Sequence, residues 1–328
     1  EDLFYNLPNY LPKQSLMVFN NTKVIQARIH FRKETGALIE IFLMEPVSPS
    51  DYELMFQTKG HCSWLCMVGN LKKWKEGSLK RYFEIAGKSL TLSASLHKEK
   101  TNQSSTGTNY WVDFDWDNDK VNFAEILEVV GELPIPPYLN RETQDSDKKT
   151  YQTVYSKIKG SVAAPTAGLH FTNELLEKIR EKGITIAEVF LDVGLGTFRP
   201  VQVENVLDHK MHSEKYRVPE ETAKIVNEAK EKGNRVIAVG TTSVRTLESA
   251  VDESGKLMAA EGNTNIFIYG DYKFKIADAI ITNFHLPKST LIMLISAFGG
   301  KEFIFEAYKK AIEEKYRFYS FGDSMFIY

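Results

Sequence analysis

The hydrophobic pattern of this chain changes character about a third of the way along it. From about Arg28 to Phe114, short apolar stretches at 37–44, 52–57, 64–68, 79–85, 90–96 and 110–114 alternate with turns such as Thr35-Gly36 and Gly69-Asn70. Short strands at a spacing of about ten residues predict a small antiparallel β-barrel or sandwich. The polar run 101–109 reads as a solvated hairpin loop. From about Phe123 the pattern becomes helices alternating with strands. Thr172 can cap a helix that carries Leu175, Leu176 and Ile179 on one face, and Gly183 stops it. The β-branched run 184–193 follows. Thr222, Ile225, Val226 and Ala229 recur at helical spacing, and Gly233 ends that helix. Residues 236–239 are apolar throughout, as suits a strand buried on both faces. Segments 243–251, 289–298 and 302–316 read as helices, 265–269 and 276–282 as strands. The fold class expected is α/β: a layered α/β domain with a mixed sheet, residues 1–28 and 118–328, plus an inserted small antiparallel β-barrel domain, 29–117. The insertion follows because 15–25 already looks like strand material of the α/β part.

With 328 residues, 43% of them apolar and 26% charged, the chain has material for about two buried cores and is not globally disordered. Its longest nearly apolar run, 291–298, is too short to span a bilayer, so no membrane is expected. Two cysteines exclude a disulfide framework. Forty-one basic against forty-three acidic residues leave a net charge of −2, which on composition alone does not point to nucleic acid. The chain opens at Glu1 with no methionine, basic leader or apolar signal core, so a cytoplasmic location and a missing natural start are expected.

In open α/β sheets, ligands bind beyond the carboxyl ends of the strands. Three segments directly follow apolar runs. Gly240-Thr241-Thr242-Ser243-Val244-Arg245 combines a glycine, three hydroxyls and the start of a helix, an arrangement that can hold an anion or simply turn the chain. Gly194-Leu195-Gly196-Thr197 is glycine-rich but lacks the lysine of a phosphate loop, and a tight turn is its default reading. Asn283-Phe284-His285-Leu286-Pro287-Lys288-Ser289 puts a histidine and a lysine before an apolar helix. A fourth segment, 161–171, holds small residues and ends in His170; close packing or a flat ligand would each explain it. Cys62 and Cys66, with His61 adjacent, have zinc-like spacing but no second pair, so no metal is expected. His212 and Glu214 share a face if extended, as a surface pair or an acid–base pair. Together these segments point to an enzyme acting on a polar, nucleotide-like ligand.

Longer stretches carry a more specific signal. Segments 131–138, 151–155, 164–171, 240–250, 281–289 and 316–323, with Asn20-Asn21-Thr22-Lys23-Val24-Ile25 and Ala27-Arg28, in that order along the chain, resemble the S-adenosylmethionine:tRNA ribosyltransferase-isomerase family of queuosine biosynthesis. The resemblance implies an α/β domain carrying an inserted β-barrel. It also implies transfer and isomerisation of the ribosyl part of S-adenosylmethionine onto 7-aminomethyl-7-deazaguanine at the tRNA wobble position. Adenine and methionine are released and epoxyqueuosine-tRNA is formed, with no cofactor beyond S-adenosylmethionine as co-substrate, no metal, and tRNA carrying that base as partner.

Proton abstraction beside the sulfonium calls for a base of near-neutral pKa, and His170, His212 and His285 are the candidates. Asp323 or Glu214 could assist adenine departure. The resemblance implies substrate binding by Tyr151, Gln152, Thr166, Gly168, Gly194, Gly196, Thr197, Gly240, Thr241, Thr242, Ser243, Arg245, Asn283 and Lys288. Lys72, Lys73 and Lys75 around Trp74, with Lys157, Lys159, Lys288 and Arg317, are expected to meet phosphate or the anticodon loop; a solvated lysine face is the alternative for the insert. Asp192 stands where the family usually has His, Gln26 where proline is common, Gly270-Asp271 where Pro-Gly is usual, and the 69–77 turn lacks the family's prolines. The family also has a further segment before Leu3. An RNA methyltransferase using the same donor, or a non-catalytic tRNA-binding paralogue, remain the competing expectations.

Overall fold

The computed structural model describes residues 1–104, 107–194, 208–209, 211 and 213–328. Two compact units are present, one made of Glu1–Lys23 with Lys149–Tyr328 and the other of Val24–Lys148.

In the first unit, seven strands form one sheet: β1 (Leu16–Asn20), β2 (Thr185–Leu191), β3 (Glu214–Val218), β4 (Val236–Val239), β5 (Ala260–Thr264), β6 (Ala279–Asn283) and β7 (Ser324–Ile327), in the spatial order β5-β3-β2-β1-β4-β6-β7. The central strands β2, β1, β4 and β6 are parallel, whereas β3, β5 and β7 complete the edges antiparallel. Residues alternate between two separate cores. Leu16 and Val18 of β1, Val236 and Ala238 of β4 and Ile280 of β6 enter one, Met17, Phe19, Ile237, Val239, Ala279 and Ile281 the other. Helices α1 (Asn173–Glu181), α2 (Glu220–Glu231), α3 (Thr241–Ser249), α4 (Thr290–Gly299) and α5 (Lys301–Glu313) cover them. Leu175, Leu176 and Ile179 of α1 pack on the Phe19 side, and α2 to α5 supply Val226, Leu247, Ile295 and Tyr308 to the Val18 side. Burial on both faces is why these strands read as unbroken apolar runs.

The helix starts follow side-chain caps. Thr172 accepts from the Leu175 N–H at 3.2 Å, and Ser289 from that of Ile292 at 3.3 Å. Helix α3 begins at Thr241, two residues ahead of expectation, because Gly240 turns the chain at φ +85°. The strand expected at 265–269 lies instead at Ala260–Thr264, whose first four residues alternate intermediate and exposed along an edge; the apolar run that follows forms no ladder among the described residues.

In the second unit the strand order is Leu79–Ile85, Lys88–Ser104, Gly107–Trp116, His61–Gly69, Leu38–Ser48, Arg28–Arg32 and Gly131–Glu132, antiparallel throughout. The sheet curls until Arg81 Nη1 donates to the carbonyl of His30 at 2.9 Å, although these two strands are not hydrogen-bonded neighbours in the ladder. Trp64, Phe114 and Trp116 pack against Phe123 with ring centroids 5.7–5.9 Å apart. Phe123 belongs to the helix Phe123–Val130, and Gly131–Glu132 pairs with Arg28–Arg32, so this unit runs on well past residue 117. Two local expectations are corrected. Tyr52–Gln57 is a helix, because Asp51 caps the Glu53 and Leu54 N–H groups. Residues 101–104 and 107–109 of the polar run are ladder rather than loop, with Thr101 opposite Tyr110 and Ser104 opposite Gly107.

Candidate active site

Register brings seven chain segments to one edge of the first unit's sheet. The parallel strands end there at Asn20, Leu191, Val239 and Asn283, the antiparallel β3 and β7 begin there at Glu214 and Ser324, and β5 ends there at Thr264. Asn20, buried in the middle, ties β1 to β2: its Nδ2 donates to the Leu191 carbonyl and its Oδ1 accepts from the Leu191 N–H, both at 3.1 Å. It was not singled out as a site residue from sequence, although a lone Asn ending an apolar strand is the visible signal.

On one side of Asn20 lies a buried ion pair. Arg245 of α3 and Glu214 of β3 are 4% and 6% exposed and bonded through Nη1 and Oε2, while the other Glu214 oxygen accepts from the Gly194 N–H at 3.0 Å. Among the described residues, Arg245 Nε and Nη2 are buried without a hydrogen-bond partner, as is Thr242 Oγ1. Unsatisfied donors of this kind are costly, and a guanidinium with two free N–H directions suits a carboxylate or another anion. Gly240 and Thr241 sit at the same helix start. The Ser243 hydroxyl donates to the Val239 carbonyl at 2.7 Å, which leaves it only acceptor capacity.

On the other side are His170, Asn283 and Asp323. His170 closes the 3-10 turn Thr166–His170; its Nε2 lies 3.2 Å from Asn283 Nδ2 and its ring 4.9 Å from that of Phe4. Burial pushes the His170 pKa down. Phe4 also lines a mostly apolar cavity of about 440 Å³ with Leu7, Phe284 and Phe326, which carries none of the expected site residues. Tyr151 is buried against the Phe321 ring.

Neighbouring contacts fix the places of the other expected residues. His285 is buried, its Nε2 2.9 Å from Thr282 Oγ1 and its backbone N–H on the Tyr308 hydroxyl. Burial lowers its pKa to about 4, so it is a neutral strut of the β6–α4 turn and a poor proton acceptor. Burial alone would raise the Asp323 carboxyl, but hydrogen bonds from the Arg317 side chain and N–H outweigh it and hold the group below the carboxylate range. An ionised Asp323 is not a proton donor, and Arg317 spends its Nε and Nη2 on it while its side chain stays exposed. Both oxygens of Glu214 are likewise engaged. Gly168 is packed closely on Tyr155: a Cβ there would lie 1.9 Å from the Tyr155 hydroxyl. Lys157 is paired with Glu188 at 2.6 Å. Lys288 is exposed, at φ +56°; Gln152 and Thr166 are half-buried. Gly196, Thr197 and His212 lie outside the described residues, as does the Lys159 side chain. Among the described residues no group of three or more His, Cys, Asp or Glu is placed to hold a metal, and no helix is long and apolar enough to cross a membrane.

In the second unit Lys72, Lys73 and Lys75 are exposed around the turn after Gly69. Trp74 is 1% exposed and donates to the Gly77 carbonyl, so it is core rather than a stacking platform. Two lysines not expected from sequence join the turn: Lys33 Nζ binds the Lys73 carbonyl at 3.1 Å and Lys98 Nζ that of Lys75 at 2.7 Å.

Residues 1–327 match the family described as queuosine biosynthesis protein. The chain belongs to that family. It is 49% identical over 328 residues to the S-adenosylmethionine:tRNA ribosyltransferase-isomerase of Trichlorobacter lovleyi, covering 100% of this chain and 88% of the relative. It is 50% identical over 325 residues to the protein of the same name from Fusobacterium nucleatum, covering 99% and 85%. The crystal structure of an S-adenosylmethionine tRNA ribosyltransferase from Thermotoga maritima aligns over 99% of this chain and 86% of that one, with 34% identity and a TM-score of 0.47.

Proposed function

We propose that this chain is an S-adenosylmethionine:tRNA ribosyltransferase-isomerase of queuosine biosynthesis, working in the cytoplasm on tRNA whose wobble base is 7-aminomethyl-7-deazaguanine. The observation that carries this reading is similarity to enzymes of that name at about half identity over nearly the whole chain. S-adenosylmethionine is the co-substrate, and the strand-end rim of the first unit is where we place it. Arg245 and Thr242, whose buried donor and acceptor capacity no described residue takes up, would take the methionine carboxylate and a sugar hydroxyl. His170 and Asn283 would face the nucleoside, and His212 would be the base that opens the reaction. The second unit would act as an inserted barrel-like domain that handles RNA through Lys72, Lys73 and Lys75.

Asp192, at the position where family members usually carry His, favours one competing reading, a paralogue that binds tRNA without turnover. One assay decides. Purified protein is incubated with labelled S-adenosylmethionine and tRNA bearing the aminomethyl base. Free adenine and methionine are expected; S-adenosylhomocysteine would mean methyl transfer, and tRNA binding with no product would mean the paralogue.

A further inference from the structure

Asn283 decides which way the His170 ring carries its proton. Its Nδ2 lies 3.0 Å from the Tyr319 carbonyl and 3.5 Å from that of Gly322, as well as 3.2 Å from His170 Nε2. A backbone carbonyl accepts and never donates, so the end of the amide that faces Tyr319 and Gly322 must be the NH₂ group. The same NH₂ meets the imidazole, and His170 Nε2 must therefore accept with its lone pair. The proton of the neutral ring then sits on Nδ1, which makes no hydrogen bond among the described residues. Asn283 Oδ1 is buried and has no partner among the described residues, so the amide keeps this orientation at the expense of an acceptor they leave unsatisfied. The charged groups facing the ring are Asp323 and Arg317, which are bonded to each other. Burial keeps the imidazole neutral near neutral pH.

We propose that His170 meets its substrate through Nδ1 as a neutral hydrogen-bond donor rather than as a base, and that Asn283 is the positioning residue that holds this tautomer. The proposal rests on the ribosyltransferase reading for the identity of the acceptor. When the bond between the ribose and adenine breaks, its electron pair stays on the purine, and Nδ1–H hydrogen-bonds the nitrogen that gains charge. The His170 proton stays on His170, and the released base takes its proton from solvent. A preorganised donor aimed at developing charge is worth about 100-fold or more in rate.

The tautomer is read by NMR on the full chain with ¹⁵N-labelled histidine, independently of turnover. A protonated Nδ1 and an unprotonated Nε2 at mildly alkaline pH are expected for His170; the reverse pattern overturns the proposal. In Asn283→Asp a carboxylate accepts from Nε2–H, so the tautomer should invert, the acid limb of the kcat profile should move to higher pH, and kcat should fall about 100-fold with little change in KM. Unchanged kcat in an Asn283→Asp variant that shows the inverted tautomer would overturn it. His170→Asn and His170→Gln supply the second arm, since the Asn amide can stand in for Nδ1–H and the Gln amide cannot. At least about tenfold more turnover is expected for Asn than for Gln or Ala. Equal loss in all three is the result a proton-accepting His170 gives, and it ends the donor role. Wild-type protein that releases no adenine sinks the ribosyltransferase reading instead, whatever tautomer is found.

Discussion

At the scale of single residues, burial decides what each polar side chain can do. His285 shows it most plainly: its pKa is pushed from 6.5 to about 4 by burial. A histidine depressed in the folded state takes up protons more readily when unfolded, so its contribution to stability is full above about pH 6.5 and is lost as pH falls towards 4. The whole effect is on the order of 3 kcal/mol. Urea midpoints of wild type should fall steeply across that window, and His285→Gln should flatten the fall; an unchanged slope would show that His285 does not carry it. His30 has the opposite sign. The Glu40 hydrogen bond raises its pKa most; burial opposes, and the Glu132 bond adds to the rise. Its stabilising contribution is complete below pH 6.5 and disappears as pH climbs through the raised value, so His30→Gln should matter at mildly acidic pH and progressively less above neutrality. The Arg245–Glu214 pair is a third case. Arg245→Met leaves a buried carboxylate, and a loss of about 3–5 kcal/mol by chemical denaturation is expected, less if Glu214 is changed to Gln in the same chain.

At the scale of elements, turns and caps set where the chemistry is presented. The turn bearing Lys72, Lys73 and Lys75 is anchored from beneath by Trp74 and held by Lys33 and Lys98 on its carbonyls. The three exposed lysines are thereby free to meet phosphate. Changing all three to Gln should weaken tRNA binding and reduce the salt slope by roughly one for each phosphate no longer neutralised; an unchanged slope, measured by titration at several salt concentrations, would take this turn off the RNA surface. The histidine and lysine of the 283–289 segment, expected to converge on a ligand, part company instead, because His285 turns into the core while Lys288 stays in solvent. Sequence spacing cannot distinguish these outcomes, since both residues lie in an irregular turn with no period to tell inside from outside.

For the whole molecule, connectivity makes the two units unequal. Val24–Lys148 is one continuous stretch with its own aromatic centre around Phe123. Expressed alone it should fold and melt cooperatively by circular dichroism. The 149–328 fragment lacks β1, which lies between β2 and β4 and contributes Met17 and Phe19 to one core, Leu16 and Val18 to the other. It should remain unfolded until a peptide carrying Leu16–Asn20 is supplied. A cooperative transition for that fragment alone would contradict the central place given to β1.

The amino-acid sequence by itself determined the two textures, the capped helices at Thr172 and Ser289, the buried parallel strands and the family, because periodicity, caps and extended motifs are local or collinear signals. It misplaced the edge strand β5 and the Tyr52–Gln57 helix, where half-buried or exposed patterns resemble one another. Tertiary structure alone decided which candidates share a rim, since Asn20, Glu214 and Asn283 reach one sheet edge only through strand register, Arg245 bonding Glu214 there and His170 bonding Asn283. It also decided that Ser243, Gly168 and Asp323 are already spoken for by their neighbours. A hydrogen bond between residues more than a hundred positions apart, such as Asn283 to His170, exists only once the sheet has ordered its strands, and it is that bond which sets the ring's proton.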